Sequence, residues 1–155
     1  MGWSQNPRLD HPEIDAQHNR MIEILNALRA GVLSERTGSA GARLLDELVD
    51  VAAANFRAEE KLIREQAARP RDFEPHIEAH QRLLRELVML RDGLARRRLR
   101  VSPEIVSRLS SSFYDHLMHA DRELESLIAL AGPRGSASSS ATADPTSPAT
   151  WTSST

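Results

Sequence analysis

Between Asp72 and Asp92 apolar residues return every three or four positions, and two histidines take their places in that rhythm. Phe73, His76, His80, Leu83, Leu84, Leu87 and Leu94 fall along one stripe of a helix, because residues three and four apart stack on the same face. The apolar face of this helix therefore carries two imidazoles. Such a pair serves either as a metal clamp or as two separately hydrogen-bonded core histidines, and the rest of the chain has to discriminate.

Three more segments share the helical period. The first begins between Pro12 and Asp15, with proline tolerated in the opening turn because its missing N–H would be unpaired there anyway. Its stripe is Ile14, His18, Met21, Ile22, Leu25, Leu28 and Val32. The second runs from about Ser39 to Ala67, and Asn55 and Glu59 interrupt its row of Leu44, Leu45, Leu48, Val51, Ala52 and Leu62. Gln66 to Asp72, with Pro70, reads as a turn. The third is the stretch from Asp72, ending near Leu94, followed by the solvated basic connection Arg96, Arg97, Arg98 and Arg100. The fourth starts at Ser102-Pro103, an N-cap followed by proline at the first helical position. It continues to Ala131 through Ile105, Leu109, Phe113, Leu117, Ala120, Leu124, Leu127 and Ile128, and Gly132-Pro133 ends it. With no strand signal and short connections, the pattern predicts an all-α, up-down-up-down four-helix bundle. It spans 12–132, after an N-terminal arm over 1–11 that carries Trp3 and Pro7. Residues 133–155 are rich in Ser, Thr, Ala and Pro, and read as a disordered tail or a linker.

Composition removes several alternatives. A net charge of -2 argues against general binding to nucleic acid or an anionic membrane. The absence of cysteine excludes disulfides, iron–sulfur clusters and thiolate zinc sites. No apolar run reaches the roughly 20 residues of a membrane span, and the N-terminus has no signal-peptide core. A cytoplasmic location is the expectation.

What remains is polar and points inward. His18 comes from the first helix, Asn55 and Glu59 from the second, His76 and His80 from the third, and His116 and Asp121 from the fourth. The five-residue step from His116 to Asp121 makes the two straddle the buried line in an α-helix. Burying a carboxylate or an unpaired imidazole costs several kcal/mol. One such group is ordinary in a core, but a set drawn from all four helices asks for a common cause. A metal ion supplies it, being neutralised by the ligands whose lone pairs it satisfies. Imidazole with carboxylate suits iron, zinc, manganese or copper. The Glu-x-x-His pattern of ferritin-like bundles is absent. A histidine-rich set with two carboxylates able to bridge suggests a dinuclear iron site with an open position for a small ligand.

The order of segments resembles the hemerythrin family, specifically its bacterial members. Ile-Asp-Ala-Gln-His, from Ile14 to His18, is similar to the family's first-helix motif. Asn-Phe-Arg-Ala-Glu-Glu, from Asn55 to Glu60, resembles its second-helix His-Phe-x-x-Glu-Glu. His76-x-x-x-His80 and His116-x-x-x-x-Asp121 resemble the pairs on its third and fourth helices, and Trp3 suits its N-terminal arm. The resemblance covers residues from about 3 to 130. It implies two Fe ions joined by an oxo or hydroxo bridge, with O2 binding at one of them. Carried over, His76, His80 and His116 would hold the first iron, Glu59 and Asp121 would bridge, and His18 would hold the second.

The family's other histidine on that second iron falls at position 55, where this chain has asparagine. A neutral amide oxygen is a much poorer iron ligand than imidazole. Asn55 is therefore expected as a weak ligand or as a hydrogen-bonding group behind the ligands. Alternatively a carboxylate such as Asp15, Glu13 or Glu23 substitutes, or the second position empties and one Fe or another metal remains. An altered di-metal centre is the favoured expectation. Asp15 and Gln17 are otherwise expected to cap the helix or orient His18. His11 and His119 are expected at the surface. Ile22, Leu25, Phe56 and Phe113 are core residues and candidate walls of an O2 pocket, where exclusion of water would slow autoxidation.

The function expected is reversible binding of O2 or another small diatomic ligand, by a carrier or a sensor, with the C-terminal segment as a link to a signalling output domain. No general acid, nucleophile or substrate pocket is written in the sequence, so an enzyme is not the first expectation. Two rival readings are turnover of peroxide, NO or ferrous iron at the weakened site, and a structural bundle that holds zinc or no metal.

Overall fold

The computed structural model describes residues 9–33, 39–96 and 101–131, the side chains of 33, 119–121 and 128–131 excepted. The expectations placed on Trp3, Pro7, Arg97, Arg98, Arg100, the Gly132-Pro133 stop and the 133–155 segment lie outside the described residues.

The described chain is an all-α, up-down-up-down four-helix bundle. Helices α1 (Pro12–Leu33), α2 (Ser39–Gln66) and α3 (Glu74–Ala95) form three of its rods. The fourth is built from α4 (Pro103–Asp115), a π turn (His116–Ala120) and α5 (Asp121–Ala131). Helix α2 is the central element, packing on α1, α3 and α5, while α1 also packs on α4.

The helix starts follow local chemistry. Pro12 opens α1, and the free backbone N–H of Ile14 donates to His11 Nδ1 at 3.5 Å. His11 thus caps the helix and is only partly exposed. Just before it, Asp10 adopts φ 54°, a left-handed conformation that aspartate tolerates better than most residues. That turn folds Leu9 inward to 3% exposure. Ser102 Oγ accepts the Ile105 N–H at 3.4 Å with Pro103 behind it, as the sequence leads one to expect. Helix α3 starts two residues later than the period suggests. Pro70–Phe73 form one 3-10 turn, and Pro75 then sits in the first turn of α3, where no N–H is required.

The core has two apolar bodies. The larger runs from Met21, Ile24, Leu25 and Leu28 through Leu45, Leu48, Ala52 and Phe56 to Leu83, Leu87, Leu109, Phe113 and Leu117. The smaller comprises Leu9, Ile14, Leu62, Ile63, Leu124 and Leu127. Each rod crosses from one to the other through polar positions. In α1, His18 lies between Ile14 and Met21; in α2, Glu59 lies between Phe56 and Leu62. In α3, His76 and His80 precede Leu83, and in the fourth rod His116 lies before Leu124. A buried polar layer therefore separates two apolar ones.

Candidate metal centre

The layer is organised by one carboxylate. Glu59 is 0% exposed, and its two oxygens face different helices. Oε2 lies 3.0 Å from His76 Nε2 and 3.0 Å from His80 Nε2, both on α3. Oε1 lies 3.0 Å from His18 Nε2 on α1. His116 Nε2, from the π turn, stands 3.9 Å from Oε2, too far for a hydrogen bond. One ligand atom each from Glu59, His76, His80 and His116 lies within 4.8 Å of the others, and all four residues are buried.

The rings are packed as well as aimed. Phe56 stacks on His80 with centroids 4.1 Å apart and planes 10° from parallel. His80 meets His76 edge-on at 4.4 Å and His116 at 4.8 Å. This fixes the ring orientations without using their nitrogens.

Burial alone pushes the Glu59 carboxyl up, but hydrogen bonds from His18, His76 and His80 outweigh it and hold the group well below the usual carboxylate range. For His116 burial wins, and its ring is pushed down to about 3. Four rings thus surround one anion, and the fourth is a neutral imidazole at any ordinary pH.

Hydrogen bonding leaves this arrangement incomplete. His80 Nδ1 lies 3.1 Å from Glu60 Oε1 while its Nε2 faces Glu59. A neutral imidazole has one N–H, so it cannot donate to both carboxylates. If Nδ1–H donates to Glu60, the Nε2 lone pair is left facing the Glu59 anion. Both nitrogens of His116 and Nδ1 of His76 are buried without a hydrogen-bond partner among the described residues. A cation among the four inner atoms takes up the His80 Nε2 lone pair and gives His116 Nε2 a partner. Two donors about 2.1 Å from one ion stand about 3.0 Å apart at right angles and about 4.2 Å apart when opposite. The observed 3.0 and 3.9 Å separations fall in that range. A carboxylate on the far nitrogen of a ligating histidine is also the usual way such a ring is oriented. The residues fit a metal ion.

Comparison with known proteins points the same way. A bacteriohemerythrin of Stenotrophomonas maltophilia (strain R551-3) is 30% identical over 124 residues, covering 77% of this chain and 76% of the relative. The chain belongs to the hemerythrin family. No protein-family model matches it, and no solved structure does.

Within this hemerythrin bundle the structure gathers Glu59, His76, His80 and His116, and brings His18 onto the opposite oxygen of Glu59. The backbone at Asp121 opens α5 directly after the π turn, but its side chain lies outside the described residues, as does that of His119. Asn55 is fully buried and donates from Nδ2 to Gln17 Oε1 at 3.3 Å. Of the nearby carboxylates, Asp15 accepts the Leu9 N–H at 2.8 Å, Glu13 accepts from Gln17 Nε2 at 3.4 Å, and Glu23 pairs with Arg20 at the surface. Ile22, Leu25 and Phe113 belong to the larger apolar body, and Phe56 belongs to it while touching His80 and His116.

Two contacts were not legible in the sequence. Glu60 lies beside Glu59 but at the margin of the inner face, and only the rotation of α2 against α3 reveals its contact with His80. It also lines a cleft of about 210 Å³ together with Phe56 and His80. The second is the contact of Gln17, expected to cap the helix or orient His18, with Asn55, whose Nδ2 donates to Gln17 Oε1.

Proposed function

We propose that this chain is a non-haem iron protein that binds O2 or another small diatomic ligand, acting as a carrier or sensor. The observation that carries the proposal is the four-residue cluster of Glu59, His76, His80 and His116 with His18 on the far oxygen of Glu59. In this reading His76, His80 and His116 would hold one iron, Glu59 would contribute an oxygen to each of two metals, and His18 would belong to the second. Asp121 is included on the family resemblance alone. Iron held this way would supply an electron-rich position for reversible O2 binding.

The protein's own residues determine how such a centre behaves. Glu60 keeps His80 oriented with Nε2 inward. Phe56 covers the His80 ring, and the apolar bodies on either side keep bulk water from the layer. Exclusion of water is what protects a reversible ligand complex from oxidative loss of the metal's electrons.

Among the described residues no helix is long and apolar enough to cross a membrane. We place the chain in the cytoplasm and read residues 133–155 as a link to a signalling output domain.

Iron loading of the metal-stripped chain, with metal analysis and visible spectra in air and under argon, tests the proposal. The expected result is two irons per chain and a visible spectrum that changes reversibly with O2. Absence of any O2-dependent change overturns it. The amide at position 55 favours a second reading, in which a more open second position turns over peroxide or NO. Sustained consumption of either substrate at catalytic protein concentration would select that reading, and ligand binding without turnover would reject it.

A further inference from the structure

Asn55 is fully buried, yet only half of its amide is used. Nδ2 donates to Gln17 Oε1, while Oδ1 has no hydrogen-bond partner among the described residues. Buried amide oxygens are normally satisfied, so this one calls for an explanation.

The orientation of that amide is set from outside the core. Gln17 Nε2 lies 3.4 Å from Glu13 Oε1. A carboxylate accepts and does not donate, so Gln17 gives its NH2 to Glu13 and turns its oxygen on Asn55. Asn55 must then offer its own NH2 to Gln17, and Oδ1 is what remains. Asn55 and Glu59 are four residues apart on α2, hence on one face. Gln17 immediately precedes His18 on α1, and His18 Nε2 meets Glu59 Oε1 at 3.0 Å. Position 55 on α2 and His18 on α1 thus flank Glu59, whose Oε1 is the oxygen not shared with His76 and His80.

We infer that Asn55 Oδ1, His18 Nε2 and Glu59 Oε1 form a second metal position with an amide oxygen as ligand, presented by the Glu13–Gln17–Asn55 relay. This inference rests on the metal-binding reading above and deepens it. The first position offers three imidazoles and a carboxylate. The second offers one imidazole, one carboxylate and a neutral oxygen from these residues, a set with lower affinity for divalent transition metals. The two positions therefore fill in order. Gln17 is a positioning residue for the second and does not touch the first.

Stepwise addition of Co(II) to the metal-stripped full chain, followed by visible absorption and calorimetry, tests this. Two steps are expected, the second on the order of tenfold or more weaker than the first. Asn55→His should tighten the second step on the order of tenfold and leave the first where it was. Gln17→Leu, which removes the relay at a partly exposed position, should weaken the second step on the order of tenfold without moving the first. Two equal steps overturn the inference, as does a second step indifferent to Gln17→Leu. A single step in the wild type and in both variants also overturns it, while leaving the first position and the metal-binding reading intact. No Co(II) binding in any variant defeats the metal-binding reading itself.

Discussion

Protonation of one side chain, Glu59, would remove the acceptor on which His18, His76 and His80 all converge. In the metal-free chain this makes acid a selective perturbant. The Glu59 carboxyl is held below its ordinary value when folded, so the unfolded chain takes up that proton first as pH falls. His116 acts in the same direction: unfolded it binds a proton near 6.5, folded only at about 3. Over both windows the unfolded state holds more protons, so stability is retained above about 6.5 and declines as pH falls toward 3. The melting temperature of metal-free protein should fall by roughly 5–10 °C between pH 7 and pH 4.5, and a flat profile would contradict this. Residues such as His18, Glu59, His76 and His116 were legible in the sequence because each is a polar interruption of an apolar stripe. The pairings of Gln17 with Asn55 and Glu60 with His80 were not. They depend on how two helices are rotated against each other, which periodicity within one helix does not encode.

The four rods follow from period, proline and caps, and their limits agree with the sequence to within about two residues. The break in the fourth rod does not. Its apolar stripe is continuous from Leu109 to Leu127, so nothing in the pattern announces that His116–Ala120 form a π turn. In an uninterrupted α-helix, position 121 lies about 140° round from position 116. Bonding from i to i+5 absorbs an extra residue and brings position 121 back over position 116, correcting the straddled arrangement expected for an α-helix. Deleting Met118 should therefore let the rod close into a plain α-helix, with far-ultraviolet circular dichroism still fully helical. Because the turn holds one residue more than an α-helix would, the deletion leaves Leu124 and Leu127 in phase with the smaller apolar body. Urea unfolding of the deletion variant should therefore stay within about 1 kcal/mol of the parent. A loss of about 3 kcal/mol or more, as exposure of both leucines would cost, would mean that the π turn does not absorb an extra residue.

At the scale of the whole molecule, the bundle type and the existence of a buried polar set were legible, because four stripes joined by short connections admit few arrangements. The division of the core into two unequal bodies was not, since each stripe looks continuous until the polar positions line up across the rods. That division has a consequence for how the molecule opens. Among the described residues the smaller body contains six buried side chains, including Leu9, tied through its N–H to Asp15. Without a cation, it meets the larger body across a layer whose hydrogen bonds converge on a single carboxylate. Amide hydrogen exchange of the metal-free chain should then resolve two cooperative units, with Ile63 and Leu124 exchanging well before Leu48 and Leu87. Metal bridging all four rods should merge them into one, and equal exchange in both states would count against this. Loss of the metal would thus be felt as a local unlatching of one end of the bundle, a mechanical signal delivered where the first helix begins and the last one ends.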